Sequence, residues 1–182
     1  MSQINVSLPG VSTPAVGFDQ PFEMLTACHE RVQRSLDLLR RVRQHVAQHG
    51  HDANSRSAVG DVLRYFDIAA PLHHEDEELH LFPPLRVHPD EQVRAAVARL
   101  EDEHRQMHVA WSRLRQLLLR WRDDAAPTPP APPDDALIDA FIALYPPHIA
   151  LEEVLLYPAA QAALDAATQT RMGGEMAARR RA

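Results

Sequence analysis

The stretch HHEDEELHLFP, residues 73–83, has a near-copy in HIALEEVLLYP, residues 148–158; both read H-x-x-x-E-E-x-x-L-[FY]-P. On an α-helix, a histidine and a glutamate four residues apart lie about 40° from each other around the axis. His73 and Glu77, and likewise His148 and Glu152, can therefore point at one place. Glu78 and Glu153, five residues beyond the histidines, fall about 140° away on a regular helix and are expected to face elsewhere.

Upstream of the first copy, Val59, Val62, Phe66 and Ala69 lead into His73, Glu77 and His80 at the three-and-four spacing of a buried helix face, up to Pro83-Pro84. The second copy sits in a similar stripe of Leu137, Phe141, Leu144, Tyr145, His148, Glu152, Leu155 and Leu156, where Pro146 and Pro147 predict a kink or break just before His148. Two further stripes complete the set. Phe22, Leu25, His29, Val32, Leu36, Leu39 and Val42 follow Pro21, which suits a first helical turn. Val93, Val97, Leu100, His104, Met107, Trp111, Leu114 and Leu118 follow Asp90. Each of the four helices thus carries a histidine in its apolar seam. The expected fold is all-α, an up-and-down four-helix bundle over residues 21–168. An extended arm rich in Pro and Gly should precede it at 1–20, and a flexible tail with a terminal arginine run should follow at 169–182. Five prolines in DAAPTPPAPPDD, residues 124–135, predict a linker before the last helix.

Composition agrees with one helical domain: 182 residues, 45% apolar, with only six glycines and 5% aromatics. A net charge of −6 argues against nucleic acid as a partner, which needs a basic face. No apolar run approaches the roughly 20 residues of a membrane-spanning helix. With Cys28 as the sole cysteine no intramolecular disulfide can form, and cytoplasmic residence is expected. Cys28 itself reads as a small apolar filler, and the tyrosines 65, 145 and 157 as core or bundle-end residues, with the alternative that a tyrosine beside a metal site donates a hydrogen bond to what binds there.

Burying imidazoles and carboxylates among leucines is costly unless something compensates, and a metal does so. His29, His73, His104 and His148 with Glu77 and Glu152 make six donors, too many for one tetrahedral zinc and suited to two ions bridged by carboxylates. In this reading His29 and His73 serve one ion, His104 and His148 the other. His74, Glu75, Asp76 and Glu78 are expected on a charged outer face or behind the ligands. His80 is expected at the bundle end, and His45, His49, His51 and His88 near surface turns.

The order H, H-x-x-x-E-E-x-x-L-F-P, E-H, H-x-x-x-E-E-x-x-L-Y-P resembles the hemerythrin-like, or HHE cation-binding, family over about residues 21–160. The resemblance implies a non-haem di-iron centre at His29, His73, Glu77, His104, His148 and Glu152. It also implies a small ligand, O2, NO or peroxide, that is carried, sensed or turned over. An oxidase, peroxidase or iron-centre repair activity, and metal storage or a structural metal, are the alternatives; zinc or manganese can occupy such mixed sites. Oxygen-carrying members have H-x-x-x-H on the third helix, matched here by His104 and His108, which makes His108 a possible additional ligand. Their last bridging carboxylate is an Asp five residues after the histidine, where this chain has Glu153.

Overall fold

Pro21 opens helix α1 (Pro21–His49), which ends where Gly50 adopts a φ of 80°, a left-handed conformation that costs glycine little. An Asp52–Ser55 capping box then starts α2 (Ala53–Arg64). The computed structural model describes residues 16–124 and 131–181, and every regular element among them is helical. After α2 the chain passes through a π-helical turn, Tyr65–Ala69, into α3 (Ala70–His80). A short α4 (Phe82–Leu85) leads to the long α5 (Glu91–Asp123), capped by the Asp90 carboxylate on Gln92 N. The last rod is assembled from α6 (Pro132–Ala143), α7 (Tyr145–Leu151), a second π turn at Glu152–Leu156, and α8 (Tyr157–Ala163). The rod breaks at Leu144, so that Pro146 and Pro147 fall in the first turn of α7, where a missing N–H costs nothing.

The bundle core is divided along its length. One apolar cluster gathers residues such as Val32, Leu36, Phe66, Ala70, Met107, Leu114, Phe141 and Tyr145; a second gathers Leu25, Cys28, Leu81, Phe82, Val97, Leu100, Leu156 and Tyr157. Between them, on all four rods, sit the buried His29, His73, Glu77, His104, His148 and Glu152. Along each helix the polar residue falls where the chain passes from one apolar layer to the other, as His104 does between Leu100 and Met107.

Both π turns precede this layer or overlap it, and both have a proline close behind. In each, a backbone N–H bonds the carbonyl five residues back: Ala70 to Tyr65, and Tyr157 to Glu152. Pro71 and Pro158 lack the N–H that would continue a four-residue ladder, and the wider turn absorbs the loss. Each turn adds one residue to the helical register. Accordingly Ala70, not the expected Ala69, is the buried alanine before His73, and Glu152 and Tyr157 both face inward.

Two boundaries differ from the sequence reading. The segment read as a linker to residue 135 ends earlier, because Pro132 and Pro133 enter the first turn of α6; residues 125–130 lie outside the described residues. The supposed flexible tail from 169 is instead helix α9 (Ala166–Arg179), capped by Asp165 on Thr168 N. Its Met172 and Met176 are buried in the second cluster, and Arg179 and Arg180 both reach the fully buried Asp76 on α3. Gly173 permits this packing, since a Cβ there would collide with the carbonyl oxygen of Phe18. Phe18, in the turn before α1, lies under the Arg180 guanidinium, 5.1 Å from its ring centre. Of the arm expected at 1–20, residues 1–15 lie outside the described residues. No helix among the described residues is long and apolar enough to cross a membrane.

Candidate metal centre

The two repeats place a pair of buried carboxylates between two pairs of imidazoles. Glu152 approaches His29 Nε2 with one oxygen at 3.0 Å and His148 Nε2 with the other at 2.9 Å; the latter oxygen also lies 3.7 Å from His104 Nε2. Glu77 does the same from the opposite rod, with Oε1 at 3.5 Å from His73 Nε2 and Oε2 at 3.5 Å from His104 Nε2. The T-shaped His29–His73 pair has ring centres 4.9 Å apart and the His104–His148 pair 5.1 Å.

Outside this layer, carboxylates hold the far side of three rings. Glu153 accepts from His29 Nδ1 at 2.8 Å, Glu78 from His104 Nδ1 at 2.8 Å, and Glu103 from His148 Nδ1 at 2.9 Å. A proton fixed on Nδ1 leaves the Nε2 lone pair facing inward, which is the tautomer a metal needs. The second Glu of each E-E doublet thus supports a histidine on a different helix. That is the role the 140° displacement of Glu78 and Glu153 leaves open to them.

The buried atoms that face inward lack partners. Both nitrogens of His73, Nε2 of His104 and of His148, Oε2 of Glu77 and both oxygens of Glu152 make no hydrogen bond; the close N···O approaches are misdirected. Leaving that many polar atoms unmet in an apolar interior costs about 1–3 kcal/mol each, and a bound cation would satisfy them together. The donor set fits one. A donor atom from each of His29, His73, Glu77 and Glu152 falls within 4.8 Å of the others, and so does one from each of His74, His104 and His148.

Titration follows the same geometry. Burial presses His29 down, but Glu152 and Glu153 outweigh it and raise the imidazole; Glu152 and Glu78 do the same for His104. His73 and His74 are held well below the ordinary value, by burial first and then by the neighbouring imidazoles. Burial and the Glu152 charge push Glu77 well above the carboxylate range. Burial works the same way on Glu152, yet the three imidazoles of His104, His148 and His29 hold it well below.

Three residues at this site have contacts that sequence reasoning did not assign. Tyr157, read as core, donates its hydroxyl to Glu77 Oε1 at 2.5 Å and lies 3.1 Å from His29 Nε2; its signal was the aromatic position of the repeat, and the π turn brings it in. His74, expected on a charged outer face or behind the ligands, is half-buried and stacks on His104 with ring centres 3.9 Å apart. Glu103 was only half of an E-H pair. Asp76, grouped with the outer charges, is fully buried and belongs to the α9 arginines. His108 is exposed on α5 and is in neither donor group, and His80 lies at the bundle end against Arg179 and Glu175.

Residues 20–160 match the family model for the hemerythrin HHE cation binding domain. An uncharacterized protein of Haemophilus influenzae is 38% identical over 168 residues, which cover 90% of this chain and 91% of that one. With the paired H-x-x-x-E-E motifs converging between two apolar layers, the chain belongs to the hemerythrin HHE cation-binding family.

Proposed function

We propose that the chain holds a pair of non-haem iron ions and uses them to bind or sense O2, NO or peroxide. His29 and His73 would hold one ion, His104 and His148 the other, and Glu77 and Glu152 would be shared between them. The observation that carries this reading is the division of each buried carboxylate between the two histidine pairs, one oxygen toward each. A single ion would not need two such carboxylates spread over four rings. Donors drawn from facing helices are also how bundles build dinuclear sites.

When bound, an iron pair supplies redox chemistry and exchangeable coordination positions, which diatomic and peroxide ligands require. The chain's own residues do the rest. Glu153, Glu78 and Glu103 orient the rings of His29, His104 and His148. The Tyr157 hydroxyl keeps a proton at the edge of the centre, because burial and the neighbouring Glu77 and Glu152 charges push its ionisation well above the phenol range. Met107, Phe66 and Ala70 on one side and Leu25, Leu81 and Leu100 on the other keep bulk water away. A groove of about 680 Å³ between α1 and α8, lined in part by Phe22, Thr26, Glu153 and Tyr157, offers small molecules an approach from solvent.

That groove would serve the alternative, a di-iron oxidase, peroxidase or iron-centre repair enzyme, equally well, since turnover also needs entry and exit. An optical spectrum of the anaerobically reduced protein exposed to air separates the two: a new visible band persists in a carrier or sensor and decays within turnovers in an oxidase. Metal analysis tests the common ground. The native protein should contain two iron ions per chain. His73→Ala and His148→Ala should fall well below two, and His88→Ala should not change. Equal iron in all three variants overturns the ligand set, and a colourless zinc-only protein favours a structural metal.

A further inference from the structure

At the end of α1 the chain turns into α2 through HVAQHGHD, residues 45–52, which holds three histidines and an aspartate. His45 lies sixteen residues beyond His29, about 24 Å along the helix axis, so this cluster is remote from the buried layer. His45 and His49 are four residues apart and share one face of α1, the spacing at which two helical histidines can hold one zinc ion. The left-handed Gly50 then reverses the chain and brings Asp52 back against His45.

Two of the three donors already stand together. Asp52 Oδ1 accepts from Ser55 N at 2.7 Å as the cap of α2, which fixes the carboxylate. Its other oxygen, Oδ2, lies 3.0 Å from His45 Nε2. Neighbouring donors bound at about 2.1 Å to one ion are themselves about 3 Å apart, so His45 and Asp52 have ligand spacing. The His45 and His49 ring centres are 5.1 Å apart. Two imidazoles on one tetrahedral ion, each with its ring centre about 3.2 Å from the metal, have centres about 5 Å apart. His49 is exposed and completes the set by turning its ring. His51 is turned edge-on to Trp121, with centres 5.5 Å apart, and lies outside the set.

We infer that His45, His49 and Asp52 form a second, surface metal site for a borderline transition-metal ion such as Zn2+ or Cu2+. Two imidazoles and one carboxylate suit those ions rather than Mg2+ or Ca2+, which take oxygen donors. A fourth position stays open to water. An ion held there ties the last turn of α1 to the cap of α2 across the Gly50 turn. A surface His–Asp pair alone is worth little; the second imidazole on the same helical face is what makes this one a chelate. The site stands whether or not the buried layer holds two irons.

Calorimetric titration of the purified protein with Zn2+ tests this against His45→Ala, His49→Ala and Asp52→Asn. Asparagine caps a helix as well as aspartate does, so α2 keeps its start while the anionic donor is lost. Whatever the buried layer takes up is common to all four proteins, so the difference between them reports the surface site alone. The wild type should bind one equivalent that each variant binds at least about tenfold more weakly, since even groups behind a ligand are worth about 10–100-fold. Mg2+ in place of Zn2+ should show no such difference. Thermal melting without added metal checks that the variants fold. If all four proteins take up the same Zn2+ with the same affinity, no site exists at this turn. If His49→Ala alone binds as the wild type does, the helical pair is not a chelate and the inference is wrong.

Discussion

Adjacent glycines on α9 give a sharp test of how that helix docks. Gly173 and Gly174 share a helical backbone, and alanine at either gains about 0.8–1.0 kcal/mol of helix propensity. At Gly174 nothing lies within 4 Å of the added methyl, so the gain should appear in full. For a chain of this size that is about 2–4 °C in Tm. At Gly173 the methyl would be forced into the Phe18 carbonyl oxygen, a backbone atom that cannot swing aside. Overpacking of this kind costs about 1–3 kcal/mol. If α9 lifts instead, Met172 and Met176 lose their burial, at about 1.5–3 kcal/mol each, and Asp76 loses its arginines. Gly173→Ala should therefore melt below Gly174→Ala, which melts above wild type, with a separation of about 1–3 kcal/mol, the overpacking cost, by urea denaturation of the metal-free protein. Equal stability of the two variants would refute the docking of α9 against the Phe18 turn.

Four further outcomes follow from the same contacts. Asp76→Ala should destabilise by about 2–4 kcal/mol, less than the full loss of a buried pair because Arg179 and Arg180 are partly exposed and can turn to water; a double-mutant cycle with Arg179→Gln should show coupling, and additivity would argue against the pair. Glu103→Gln should weaken iron binding about 10–100-fold through a loosened His148, with the bundle intact by circular dichroism; unchanged affinity would remove Glu103 from the site. The Cys28 thiol is pushed up by burial, with the Arg31 and Arg180 charges opposing, so little thiolate exists at neutral pH. Its reaction with a disulfide reagent should be slow in the folded protein, fast after denaturation, and accelerated as pH rises; rapid labelling of the native chain would contradict its burial. Removing metal with a strong chelator should lower Tm, because a cation bound only by the folded state stabilises it by mass action, about 2.7 kcal/mol at a hundredfold excess over Kd; an unchanged Tm would mean that no cation occupies the buried layer.

Periodicity made the bundle and its polar layer legible. His29, His73, Glu77, His104, His148 and Glu152 interrupt apolar stripes at positions that geometry alone places inside, and all are buried. What periodicity could not carry was anything that depends on a register change or on a distant partner. Pro71 and Pro158 induce π turns that shift the pattern by one residue, which moved burial from Ala69 to Ala70 and brought Tyr157 to the site. α9 looked like a tail because its glycines and arginines have no meaning without Phe18 and Asp76, more than ninety residues away in sequence for Asp76. His74 stays open between the outer face and the shell behind the ligands because one helix considered alone offers it no neighbour; α5 supplies one. The E-E doublets were half legible, since the angle excluded the second glutamate from the inner face without naming the histidine it would meet.

The most direct test is anomalous diffraction at the iron edge from crystals of protein loaded anaerobically with Fe2+. Two peaks about 3.5–4 Å apart should appear in the layer between the apolar clusters, one beside His29 and His73 and one beside His104 and His148, with Glu77 and Glu152 reaching both. A single peak, or peaks away from those side chains, would contradict the account.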